Sequence, residues 1–172
     1  MKTKLFLAAI FSLAIGSAVQ AASSTKPAAP VTVTFVAPEN FTDVKDGPFD
    51  SERSRAQVLD ALKAHIEDLS RSYVTNGRHL EVKVTDVDLA GEFEPWRGVD
   101  FDHIRILKEI YPPRMELEFR LLDADGKVIS EGKRHLQELG YLMTTVMPTT
   151  DPLRFDKDML RSWMRQEFKR AS

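Results

Sequence analysis

The stretch TDVDLAGEFEPW, residues 85–96, gathers Asp86, Asp88, Glu92 and Glu94 into one short run and ends on Trp96. Clustered carboxylates suit two kinds of chemistry: oxygen ligation of a hard cation, and paired acid–base work on a glycosidic bond. An EF-hand loop started at Asp86 matches at its first, third and sixth positions with Asp86, Asp88 and Gly91, but its fifth is Ala90 and its twelfth Arg97. Two ligands are missing, one of them replaced by a positive charge, so an EF-hand is excluded. A looser cation site on Asp86, Asp88, Glu92 and Glu94 stays open, and with it a metal-assisted hydrolase. A glycosidase pair needs only a separation of roughly 5–9 Å, which any acid-rich loop can supply, so the run does not select that reaction.

Other chemistry-bearing residues are sparser. Asp100, Asp102 and His103 fall together in VDFDHIRI, and an Asp–His pair can ligate zinc or form a base with its orienting group. Alternation sends Ile104 and Ile106 inward and His103 and Arg105 outward, while His65, His79 and His135 stand at no ligand-like spacing, which favours a solvated strand edge. There is no cysteine, no G-x-S-x-G serine, no HExxH, no P-loop and no GxGxxG. No catalytic residue and no cofactor is therefore expected.

The aromatic residues offer a binding alternative. Phe93, Trp96, Tyr111 and Tyr141, with Pro95, Pro112 and Pro113, fall outside periodic elements, and loops carry binding residues disproportionately. Rings rimmed by acids suit a groove for a sugar or a peptide. The favoured reading is structural. Asp86 and Asp88 accept hydrogen bonds from backbone N–H groups at a bulge or pair with Arg97 or Arg105. Gly91 permits a sharp exit, Pro95 sets the approach to Trp96, and Phe93 and Trp96 plug apolar space under the loop. Structural pairs cluster charge as readily as active sites do. This reading makes Trp96 a buried anchor, and makes Asp86 matter more than Glu94.

The elements that hold these residues follow from periodicity. Val31, Val33 and Phe35 alternate with threonines, a half-buried strand stopped by Pro38. Asp50 or Ser51 can cap a helix whose stripe is Leu59, Leu62, Ile66, Leu69 and Tyr73, with Glu67–Arg71 paired outside and Asn76-Gly77 at its end. Leu80, Val82 and Val84 alternate, then the apolar phase slips to Val87 and Leu89, which a bulge near Thr85 or Asp86 explains. Ile104 and Ile106 suggest a short strand. Met115 to Leu121 alternates, Asp125-Gly126 turns a hairpin, and the return strand to about Leu136 carries Gly132, a mark of a bulge or close approach. A last helix begins with Phe155 and Leu160 as a staple around Asp156 as cap, buries Leu160, Trp163, Met164 and Phe168, and ends on Lys169 and Arg170. One charged strand face and two amphipathic helices give an α+β two-layer sandwich: a mixed, mostly antiparallel sheet with two helices packed on one face. The first strand, helix and second strand form a crossover unit, expected right-handed.

The N-terminus reads as an address. Lys2 and Lys4 precede an apolar run from Leu5 to Ile15, shorter than the roughly 20 residues of a membrane span, and cleavage is expected between Ala21 and Ala22. Residues 1–21 are then a signal peptide, 22–30 a flexible leader and 31–170 a single domain, in the periplasm or secreted, with no integral membrane segment after cleavage. The whole chain has 24 basic and 26 acidic residues; loss of Lys2 and Lys4 leaves 22 against 26, a net charge of −4. That balance speaks against a nucleic-acid partner.

The blocks VTVTFVAPENFTDV, VTDVDLAGEFEPWRG, HIRILKEIYPPRMELEFRLLDADGKVISEG, LQELGYL and DPLRFDKDMLRSWM resemble the exported bacterial family called domain of unknown function 3016. The resemblance covers about Val31 to Phe168, and DLAGEFEPW and YPPR are its most specific parts. It implies a signal peptide and no established activity, and its pattern carries onto Asp86, Asp88, Gly91, Phe93, Pro95, Trp96, Arg105, Tyr111, Tyr141 and Trp163 here. The layout also looks like small envelope domains that serve as accessory subunits. The expected function is thus a non-enzymatic envelope binding or accessory module, its partner an envelope protein or a small ligand; the alternative is a hydrolase on the acidic 86–94 loop.

Overall fold

The computed structural model describes residues 30–45, 47, 51–98, 103–144 and 150–168. The predicted signal peptide, nearly all of the leader, Asp100, Asp102, Lys169 and Arg170 lie outside them. Among the described residues six strands are formed: β1 (Val31–Phe35), β2 (His79–Asp88), β3 (Glu92–Phe93), β4 (Arg105–Ile106), β5 (Arg114–Leu122) and β6 (Val128–Gln137). Two helices, α1 (Glu52–Ser70) and α2 (Arg154–Phe168), accompany them. The main sheet has the order β1-β2-β5-β6, with β1 parallel to β2 and the other pairs antiparallel. β3 and β4 form a separate two-stranded piece. This is the expected α+β two-layer arrangement.

Alternation decides the layers. Leu80, Val82 and Val84 of β2 and Met115, Leu117, Phe119 and Leu121 of β5 are buried, as are Leu62 and Ile66 of α1 and Leu160, Trp163 and Met164 of α2, all in one core. Each such side chain contributes about 1.5–3 kcal/mol on burial. The opposite face carries ion pairs across the strands, among them Glu81–Arg120 at 3.1 Å and Glu118–Lys133 at 2.5 Å.

The bulge lies where the phase slip put it, with the β2–β5 register shifting between Val84 and Asp86. Ser51 caps α1 by accepting from the Ser54 N–H at 3.1 Å. Asp123 accepts from the Asp125 and Lys127 N–H groups and closes the β5–β6 hairpin. Gly132 does sit at a close approach, for a Cβ there would lie 2.5 Å from the Arg134 guanidinium.

Four details differ from the sequence reading. α1 ends at Ser70, whose hydroxyl donates to the Ile66 carbonyl, and Asn76 and Gly77 with φ of 59° and 76° turn the chain later. Arg71 pairs with Asp68, not Glu67. Ile104 is exposed, because β4 pairs with β3 and never joins the main sheet. Asp156 is inside the first turn of α2, not its cap; Asp151 takes the Leu153 N–H instead, and Phe155 stacks edge-on against Tyr141 with ring centroids 4.9 Å apart.

Candidate functional site

β1 and β2 end, β6 ends and β5 begins at the same end of the sheet, so the loops around residues 36–45, 89–98, 103–113 and 138–144 gather there. Main-chain bonds tie them together: Gly91 N–H to the Tyr111 carbonyl, Asp43 N–H to the Val87 carbonyl, and Glu138 N–H to the Pro113 carbonyl. Gly91 has φ of 82°, and a Cβ there would lie 2.8 Å from the Ile106 carbonyl oxygen, so glycine is required.

Glu94 is the hub of this end. Its side chain is 1% exposed. Lys108 Nζ donates to Oε1 at 2.5 Å, the Tyr111 hydroxyl donates to the same oxygen at 2.9 Å, and Arg97 Nε donates to Oε2. The Lys108 contact, joined by Tyr111 and Arg97, outweighs burial and holds the Glu94 carboxyl down at about 2. The same contact to Glu94 raises the Tyr111 phenol. Tyr141 donates to the Lys108 carbonyl at 2.8 Å and so braces the lysine from the other side.

Arg105 is the second fastener. Its guanidinium donates to Asp43 Oδ2, the Gly91 carbonyl and the Lys45 carbonyl, each at 2.8 Å, and lies 4.7 Å over the Phe93 ring. One side chain thereby stitches three separate segments through charge-assisted bonds.

The four acids of the opening run do not converge. Asp86 accepts from the Thr42 N–H and hydroxyl at 2.7 and 2.8 Å. Asp88 accepts from Arg114 at 2.5 and 2.9 Å, while partial burial raises its carboxyl. Glu92 accepts from the neighbouring Phe93 N–H at 2.8 Å, and Glu94 is held as described. Among the described residues no three His, Asp or Glu side chains stand close enough to share a metal ion. The expected Arg97 and Arg105 partners of Asp86 and Asp88 go elsewhere, to Glu94 and Asp43, because the loop folds back before either arginine can reach the bulge.

The aromatic set is split as well. Phe93 and Tyr141 are buried, and Tyr111 is half-buried against Glu94. Trp96 is not a plug: it is 71% exposed, held out on a short 3₁₀ turn, Pro95–Arg97, that Pro95 starts. The buried tryptophan is Trp163, whose ring packs edge-on to Phe119.

Asp156 is the residue the sequence reading misplaced most. It is 2% exposed, beside the small buried cluster of Ala90, Tyr141 and Phe155. Its Oδ1 accepts from the Ala90 N–H at 3.0 Å, and Oδ2 is buried without a hydrogen-bond partner. Desolvation pushes its carboxyl up to about 7. Asp156 can change charge near neutrality yet is sealed from solvent, and Glu94, equally buried, holds no proton at that pH. The loop end is thus fastened by buried carboxylates, each held by donors from other segments. Its outer surface is apolar: Trp96, Ile110, Leu139 and Met143 are strongly exposed there, Met143 by 84%.

No helix of the described residues is long and apolar enough to cross a membrane. No curated protein and no solved structure matches the chain. The family model described as "Protein of unknown function (DUF3016)" matches residues 29–166, most of the chain and all of the strands described above, and the chain belongs to that family.

Proposed function

We propose that the protein is exported and works in the bacterial envelope as a non-enzymatic binding or accessory module that meets its partner with the loop end of the domain. The observation that carries this is where the exposed large apolar side chains fall. Among the described residues, Val36, Trp96, Ile104, Ile110, Leu139, Leu142 and Met143 all lie on the loops of that end, and only Ile129 lies elsewhere. Scattered exposed apolar residues are ordinary, but a concentration of them on one rigid surface marks an interaction site. Tryptophan and methionine are enriched in interfaces. The ion hub of Glu94 lies directly beneath, fixing Trp96 through Arg97 and the Ile110 loop through Lys108 and Tyr111. The apolar run at residues 5–15 after Lys2 and Lys4 supports export.

Two measurements test the reading. Cell fractionation with N-terminal sequencing is expected to find a chain beginning at Ala22 outside the cytoplasm; an uncut cytoplasmic chain overturns export. A photo-crosslinking amino acid placed at Trp96 is expected to capture one envelope protein that the same probe at Lys83, on the charged sheet face, does not. Identical captures from both positions overturn the loop end as the recognition surface.

A further inference from the structure

A different surface is incomplete as it stands. β6 runs ten residues and, among the described residues, its outer edge pairs with no strand. The Glu138 N–H donates to the Pro113 carbonyl of the neighbouring strand side. Alternation then turns the main-chain groups of Ser130, Gly132, Arg134 and Leu136 toward β5, and those of Glu131, Lys133 and His135 toward the open edge. An unpaired edge of this kind is a template for another strand.

The side chains along the edge select the occupant. Glu131, Lys133 and His135 project on the charged face; Ser130, Gly132 and Arg134 project on the helix side. Laid antiparallel on itself about a two-fold axis through Gly132, the strand puts each Glu131 opposite the Lys133 of a second copy, twice over. Ser130 then faces Arg134, and the two Gly132 residues face each other at the closely spaced position of the ladder. Moving the axis to Glu131 sets two glutamates opposite each other; moving it to Lys133 sets two lysines opposite each other. Of these three registers, only the one about Gly132 is free of like-charge pairs, and it alone sets Glu131 against Lys133.

Two features that normally blunt an edge do not do so here. Arg134 is an inward-pointing charge, but Glu167 neutralises it with bonds of 2.7 and 2.8 Å and its guanidinium lies over the Phe119 ring. The Lys133 carbonyl already accepts from Arg134 at 2.8 Å, and its second lone pair remains for an incoming N–H. A cleft of about 450 Å³ between β6 and α2, bordered by Leu136, Met159 and Trp163, leaves room on the helix side for the second strand's side chains. We propose that two copies of this chain join edge to edge through β6, antiparallel about Gly132, so that their four-stranded sheets become one.

Sedimentation of the purified protein over a concentration series tests this. The wild type is expected to form a dimer. Glu131→Lys and Lys133→Glu change residues that are 62% and 84% exposed, so both variants should fold, as circular dichroism would check. Each places like charges opposite each other at two contacts, and each alone is expected to dimerise at least about 10-fold more weakly. Mixed together, the two variants pair lysine with glutamate at every contact, and the heterodimer is expected to recover to within about 3-fold of wild type. A wild type that stays monomeric into the hundreds of micromolar overturns the proposal. So do variants that self-associate as the wild type does, a mixture that fails to associate, or a monomer that takes up an extended peptide at this edge instead.

Discussion

Asp156→Asn tests the account of the loop end at its most exposed assumption, that a carboxyl is buried there at a cost. In the folded chain the Asp156 carboxyl is pushed from 3.8 to about 7, chiefly by desolvation. Arg105 pulls it down and Asp88 pushes it up, but neither outweighs the burial. A folded value above the unfolded one means that stability is greatest when the acid is protonated in both states. Stability from this group is therefore intact below about pH 4, falls as pH rises toward 7, and is level beyond. The difference of roughly 3 pK units corresponds to ~4 kcal/mol lost between those limits, at about 1.4 kcal/mol per unit. That is a large part of the 5–15 kcal/mol typical of a domain. Asparagine keeps an oxygen for the Ala90 N–H and, like the protonated acid, carries no charge. Urea unfolding of both proteins at pH 5, 6, 7 and 8 reads the effect. Asp156→Asn should already be stabilising by ~1.6 kcal/mol at pH 5, a little above the unfolded value of 3.8, and by ~4 kcal/mol at pH 8. The pH responses of Glu94 and His65 cancel in the difference, since both variants carry them. A difference that stays flat across this range would show that Asp156 is solvated, and the description of its pocket would fall.

Trp96→Ala should change stability by less than about 0.5 kcal/mol in thermal unfolding, as expected for an exposed side chain, and a loss of several kcal/mol would put the ring in the core after all. Gly91→Ala should cost ~1–3 kcal/mol, from the positive φ and the collision with the Ile106 carbonyl; an unchanged urea midpoint would contradict both. Glu94→Gln should destabilise more than Asp86→Asn, reversing the order the sequence suggests, because Glu94 is buried among three donors and Asp86 meets only Thr42 at the surface. Glu94 also sets an acid limit: with its carboxyl held at about 2, its contribution is present above about pH 4.5 and disappears as pH falls toward 2, so Glu94→Gln should flatten the acid arm of the stability curve.

The sheet was legible because strand pairing writes itself locally. The slip from Val84 to Val87 marked a bulge without any knowledge of the partner strand, and Asp125-Gly126 marked its hairpin. The loop end was not legible in the same way. Glu94 meets Lys108 and Tyr111, 14 and 17 residues along the chain, and no period connects them. Arg105 reaches back 62 residues to Asp43, a residue with nothing in its neighbourhood to single it out. Trp96 was misread for a different reason. Tryptophan is buried on average, and only the 3₁₀ turn started by Pro95 reveals that this one points outward. Asp156 beside Phe155 looks like a cap, but the helix begins at Arg154, three residues too early for it to be one.

A buried carboxylate with three donors is not, by itself, the stablest way to fill that space. Apolar residues of similar volume often do as well or better, since they avoid desolvation. What the ions supply is direction. Each of the three donors meets Glu94 through a directed hydrogen bond, and two of them lie beside exposed apolar residues: Arg97 follows Trp96, and Tyr111 follows Ile110. Loosening the hub should therefore free the indole more than it loosens the core. Time-resolved fluorescence anisotropy can read this directly in a Trp163→Phe background, which leaves Trp96 as the only tryptophan. Glu94→Gln should let the Trp96 ring rotate faster on the nanosecond scale while the far-ultraviolet spectrum stays that of the folded domain. If the ring moves no faster, Trp96 is held by something other than the ions, and the hub is a fastening of the core and not of the recognition surface.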